Sequence, residues 1–175
     1  APTALVEPGA VAPIDPDAPA AWWSAVLLLV AAGDNAGAAD AAGVAWSEDL
    51  PPGTAATVLF VLGLACFELG RLDEADDALS RSESLVAAEP GLSARGVFSF
   101  GGTVTALRAC VAALRGDHPR ARALVRRARN VADQNIVQSV AVDFWATWCA
   151  VQEGDLALVD ELADICIGNT VELGD

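Results

Sequence analysis

The stretch LFVLGLACFELGRLDEADDALSRS, residues 59–82, decides how the rest of the chain is read. Its first half is almost wholly apolar and ends at Gly70. Its second half opens with Asp73, Glu74, Asp76 and Asp77 set around Ala75, Ala78 and Leu79. Glycine ends a helix by taking the left-handed conformation, and negative charge is favoured in the first turn of a helix by its dipole. The stretch therefore reads as two antiparallel helices joined by a tight turn.

Working outward, the same punctuation recurs. Gly33, Gly70, Gly116 and Gly154 each close an apolar run and are followed by Asp34, Arg71, Asp117 and Asp155, and then by a second run. Their intervals of 37, 46 and 38 residues suit a helical repeat. The expected helices are 20–32, 36–47, 53–69, 72–88, 93–115, 119–132, 135–153 and 156–167. Gly101 and Gly102 interrupt the fifth, as a close-packing spot in one helix or as a break between two. Residues 1–19 carry five prolines and cannot form a continuous helix, so they read as a lead-in or linker before a repeat domain over 20–175.

Composition narrows the function. A chain that is 54% hydrophobic and 19% charged is too apolar for a disordered tail. A net charge of −14 opposes binding to nucleic acid and to anionic membrane surfaces. All ten basic residues are arginine, so no lysine is present for a Walker-type phosphate loop. The apolar run 25–32 is far shorter than a spanning helix needs and lacks the basic flank of a signal peptide. Cys66, Cys110, Cys149 and Cys166 form no C-x-x-C pair and read as small buried hydrophobes in a reducing cytoplasm. The start at Ala1, without methionine, suits a piece of a longer protein.

The quoted stretch resembles the tetratricopeptide repeat. Leu59, Leu62, Gly63, Cys66, Gly70, Leu72, Ala75 and Leu79 match that family's spacing of large, small and turn positions. Gly63 and Ala75 fall where the family lets two helices approach closely, Leu79 at a large core position and Ser82 at a small one. Aligned on the turn glycine, the first unit has Trp22 and Ala38 at the matching positions. The third has Ala109, Ala121, Val125 and Ala128. The fourth departs, with Thr147 and Val159 at the small positions and Asp143 where a large residue is usual. The resemblance covers about residues 20–167. It implies an all-α fold of antiparallel helix pairs stacked as a short right-handed superhelix, with about four hairpins.

The segments 58–80 and 113–128 are further similar to the helical-repeat regions of large LuxR-type transcriptional activators of the maltose-activator kind. There the repeat region acts as a sensor arm for an inducer or partner protein, while separate domains hydrolyse ATP and bind DNA. The resemblance also implies which residues line a concave groove. They are Trp23 and Leu27, then Phe60, Leu64 and Phe67, then Ala106, Cys110 and Ala113, then Phe144, Trp148 and Val151. This groove is mostly apolar. It either holds a hydrophobic ligand, a partner helix or a neighbouring part of the same protein, or closes into ordinary core.

Candidates for chemistry are few. His118 is the only histidine and sits beside Pro119 at a helix start, which makes it a turn residue rather than a general base. No cysteine is near it in sequence, so zinc has no support. The clusters Asp73–Asp77 and Asp155–Asp164 read as solvated acidic faces. On the helix 119–132, Ala121, Leu124, Val125 and Ala128 share one side and Arg120, Arg122, Arg126, Arg127 and Arg129 the other. Without interleaved aromatics this is a charged face pairing with the acidic surplus, not a nucleic-acid patch. The expectation is a non-catalytic recognition segment with no cofactor, no metal and a protein or apolar small-molecule partner. The alternatives are a general scaffold and, from another class, a helical enzyme. Self-association through uncapped ends is compatible with a repeat stack.

Overall fold

In the computed structural model, every regular element among the described residues is an α-helix and no strand occurs. The described residues are 26, 28–88, 101–132 and 136–174. The lead-in 1–19 and the expected groove residues Trp23 and Leu27 lie outside them. After a helical stretch over 28–31 come α1 (Asn35–Ala45), α2 (Pro52–Glu68), α3 (Leu72–Ala88), α4 (Gly101–Leu114), α5 (His118–Ala132), α6 (Ile136–Glu153) and α7 (Leu156–Gly174). The last runs seven residues past its expected end. The expected helix 93–115 is described only from Gly101 onward.

One turn is used four times. Gly33, Gly70, Gly116 and Gly154 all have positive φ, between 72° and 80°. Each donates its N–H three residues back, and the next residue donates five back. At Gly116 these bonds are Gly116 N to Ala113 O and Asp117 N to Ala112 O, both 2.9 Å. This pairing satisfies carbonyls that the helix end would otherwise leave open. The residue after the glycine then starts the next helix. Asp34, Asp117 and Asp155 accept on Oδ1 from the N–H of Gly37, Arg120 and Leu158, at 2.9, 3.1 and 3.1 Å. At Arg71 only the backbone carbonyl serves, accepting from Ala75 N at 2.9 Å.

The chain divides into two compact units, Ala1–Ser82 and Glu83–Asp175. In the first, α2 is buried along most of its length, from Ala55 to Phe67, as expected of a helix apolar all round. It packs antiparallel to α3. Ser82 Oγ donates to Ala56 O at 2.8 Å near one end of the pair, and Gly63 meets Leu79 further along. A Cβ on Gly63 would lie 2.5 Å from Leu79 Cγ, so the two backbones approach more closely than alanine allows. Arg81 on α3 stacks 4.5 Å over the ring of Trp46, just past α1.

In the second unit α4 is the central helix, with Val104, Ala106, Leu107, Ala109 and Cys110 fully buried. Gly102 is the close-packing spot. A Cβ there would sit 3.1 Å from Ala128 O of α5 and from Val142 Cγ2 of α6. Its N–H, left open at the start of the helix, donates to Gln138 Oε1 of α6 at 3.1 Å. Gly102 beside Gln138, and Cys110 beside Cys149, place α4 and α6 side by side in the same direction. Helix α5 runs back between them in sequence, with Gly101 against Val131 and Gly102 against Ala128.

The Gly63 contact sets a stability test. Gly63→Ala is expected to destabilise the protein by about 1–3 kcal/mol through overpacking against Leu79. Gly43→Ala, in α1 with no atom within 4 Å of the added Cβ, is expected to stabilise it by about 0.5–1 kcal/mol. Urea unfolding of both variants measures the two signs.

Candidate functional site

Helix α5 organises the polar chemistry of the second unit. Ala121, Leu124, Ala128 and Ala132 form its buried stripe, which leaves its arginines at the flanks. Three of them reach carboxylates on neighbouring helices. Arg122 Nε donates to both oxygens of Glu153, at 2.9 and 3.3 Å. Arg129 donates from Nε and Nη2 to Asp143 Oδ1, at 3.1 and 2.8 Å. Arg127 Nη2 lies 3.3 Å from Glu83 Oε1. The expected pairing with the acidic surplus is present, but the acids are specific and mostly buried: the side chains of Glu153, Asp143 and Glu83 are 6%, 7% and 11% exposed.

Glu83 is the most enclosed arrangement. Its other oxygen meets Arg108 Nη1 of α4 at 2.5 Å, and the Thr105 hydroxyl lies between Glu83 and the Gly101 carbonyl. A buried carboxylate persists only when paired and hydrogen-bonded, and Glu83 is both. Asp143 is likewise buried and paired, with Arg129. The resemblance to the tetratricopeptide repeat would set a large residue at this position; the structure has an acid matched to Arg129.

Between α5, α6 and α7 lies a cleft of about 220 Å³. Its floor is apolar: Val125, Ala146, Cys149, Ala150, Leu158 and Leu162. Arg122, Arg126, Arg129 and Glu153 stand at its rim. Arg122 and Arg129 are engaged as described. Arg126 is exposed and has no ion-pair or hydrogen-bond partner among the described residues. His118, at the start of α5, has Nδ1 3.5 Å from Glu153 Oε1. It is the first residue of the helix, with Pro119 second and Asp117 as the cap.

The residues expected to line a groove fall in different settings. Phe60 and Phe67 are buried and Leu64 half-buried in the first unit. Cys110 is fully buried in the second, as are Ala106 and Ala113, whereas Phe144 and Val151 are 55% and 51% exposed with Trp148 half-buried between them. Phe144, Trp148 and Val151 lie on one face of α6. Ala146, Cys149, Ala150 and Glu153, which line the cleft, lie on the opposite face at 100° per residue. The cleft was therefore not anticipated. Its signal in the sequence is the spacing Arg122, Arg126, Arg129 on the flank of an apolar stripe.

Cys66, Cys110 and Cys149 are free thiols and buried. Burial, reinforced by the Cys149 thiol 3.5 Å away, pushes the Cys110 thiol far above its ordinary range. Burial raises Cys66 as well, with a smaller contribution from Glu74. Among the described residues no group of three or more His, Cys, Asp and Glu could hold a metal ion, and no helix is long and apolar enough to cross a membrane. Comparison with protein-family models, curated proteins and solved structures gives no match to this chain.

Two measurements follow from this geometry. Glu83→Ala removes the buried acid that serves Arg108, Arg127 and the Thr105 hydroxyl and is expected to cost about 1–3 kcal/mol in a urea titration. In a Cys166→Ala background, Cys66 and Cys110 should not react with Ellman's reagent at pH 8 until the protein unfolds, because too little thiolate forms. Rapid labelling of either in the folded protein would contradict the burial described.

Proposed function

We propose that this chain is a non-catalytic recognition segment, the ligand- or protein-sensing helical-repeat part of a bacterial LuxR-type transcriptional regulator acting in the cytoplasm. The observation that carries the reading is the recurring helix hairpin. One stop–start turn is used four times, and α4 and α6 run alongside each other in the same direction with α5 returning between them. A tetratricopeptide-like stack requires this relation between the first helices of successive hairpins. Such stacks work by presenting lined surfaces rather than by making bonds. The polar groups near the cleft fit that role, since both oxygens of Glu153 are engaged by Arg122 rather than left to act on a substrate.

A second reading, a protein–protein scaffold, is favoured by the exposed Phe144 and Val151 on one face of α6, an apolar stripe of the kind that receives a partner helix. The coding region decides between them. A nucleotide-binding domain encoded upstream and a helix-turn-helix domain downstream are expected for the regulator. A reading frame holding this helical segment alone would overturn the regulator assignment and leave the scaffold.

A further inference from the structure

We propose that the cleft between α5, α6 and α7 binds a small amphipathic monocarboxylate, with its apolar body on the floor and its carboxylate on Arg126. The inference deepens the recognition reading and rests on it.

Charge comes first. The chain carries 24 carboxylates against ten arginines, so an arginine without an acid partner is not the result of scarcity. Arg126 has none among the described residues. The residues one turn away on its own helix are Arg122, Ala123, Arg129 and Asn130, none of them acidic. The flanking guanidiniums are matched: Arg122 by Glu153 and Arg129 by Asp143. Among the described residues one positive charge is left at the rim, which suits a monoanion better than a dianion. The overall charge of −14 repels anions at long range, so an acid that binds here does so through this local arrangement.

Arginine is suited to the task. Its planar fork donates two parallel hydrogen bonds to a carboxylate. The floor then selects among anions, because side chains such as Val125, Ala146 and Leu162 offer no hydrogen bond to inorganic phosphate or sulfate and reward an apolar body. Size narrows the class further. About 220 Å³ lies below the roughly 300 Å³ at which drug-sized pockets begin. At roughly 30 Å³ for a group the size of a water molecule, it holds about seven such groups. That fits the tail of an eight-carbon acid.

Isothermal titration of the full chain with octanoate, and with 1-octanol as its uncharged counterpart, tests the assignment. Octanoate should bind at least about tenfold more tightly than 1-octanol. Arg126→Gln should remove that preference and leave the affinity for 1-octanol unchanged. Arg126 is exposed and has no partner among the described residues, so its replacement is expected to leave the fold intact, and circular dichroism checks this. Equal affinity for the two probes, or octanoate binding unchanged in Arg126→Gln, would overturn the acid assignment while leaving an apolar recognition cleft. Binding of neither probe up to its solubility limit would overturn the cleft as a small-molecule site. The coding-region test of the recognition reading would stand apart from that result.

Discussion

At four turns of this chain a single residue serves two helices. It closes the preceding helix by donating its N–H five residues back, and it opens the next by accepting at the new N-terminus. Only a glycine just before it, at positive φ, lets the backbone make both sets of bonds within two residues. Because the connection is so short, consecutive helices must lie against each other and run in opposite directions. The facing surfaces must then be shallow, which is where glycine and alanine enter. Gly63 against Leu79 and Gly102 against Ala128 and Val142 are close approaches that a larger residue would block.

Shallow faces have a cost in specificity. Alanine surfaces such as Ala106, Ala128 and Ala132 interlock weakly, so packing alone does little to fix how far one helix slides along another. Directional bonds supply that constraint. Two N–H groups of Arg129 converge on one oxygen of Asp143, and Arg122 Nε spans both oxygens of Glu153, which sets α5 against α6 at two points about two turns apart. Glu83 ties the end of α3 to Arg108 of α4 and Arg127 of α5. A wholly apolar replacement of such pairs is often as stable, so burial of three acids here is better understood as positional than as a source of net stability.

The helical class and the turns were legible in the sequence because glycine followed by a polar residue has a local meaning that needs no knowledge of the rest of the chain. The close approach at Gly63 was expected from the tetratricopeptide resemblance, which sets small residues at Gly63 and Ala75; that the atoms it meets belong to Leu79 was not. Partners distant in sequence were not. That Glu83 meets Arg108 and Arg127, or that Asp143 meets Arg129, depends on which helices come side by side, and periodicity does not encode it. The cleft is not marked by the concave-groove positions, because Phe144, Trp148 and Val151 lie on one side of α6 and the cleft lining on the other. The division at Ser82 and Glu83 was hidden too, since it falls within the continuous helix α3.

The two faces of α6 give that helix a particular place in the second unit. One side carries the open Phe144 and Val151; the other supplies the cleft floor through Ala146, Cys149 and Ala150 and its rim through Glu153. Asp143 and Glu153, ten residues apart on α6, are the points at which α5 is held. Arg126 lies between the two arginines so held, which fixes its backbone while leaving its guanidinium outside either pair. A charge presented from a rigid position, beside an apolar floor and without a partner among the described residues, loses little conformational freedom when it meets an anion. The ion pairs that place the alanine-lined helices thus also hold Arg126, which has no partner among the described residues, in a fixed position at the mouth of the cleft.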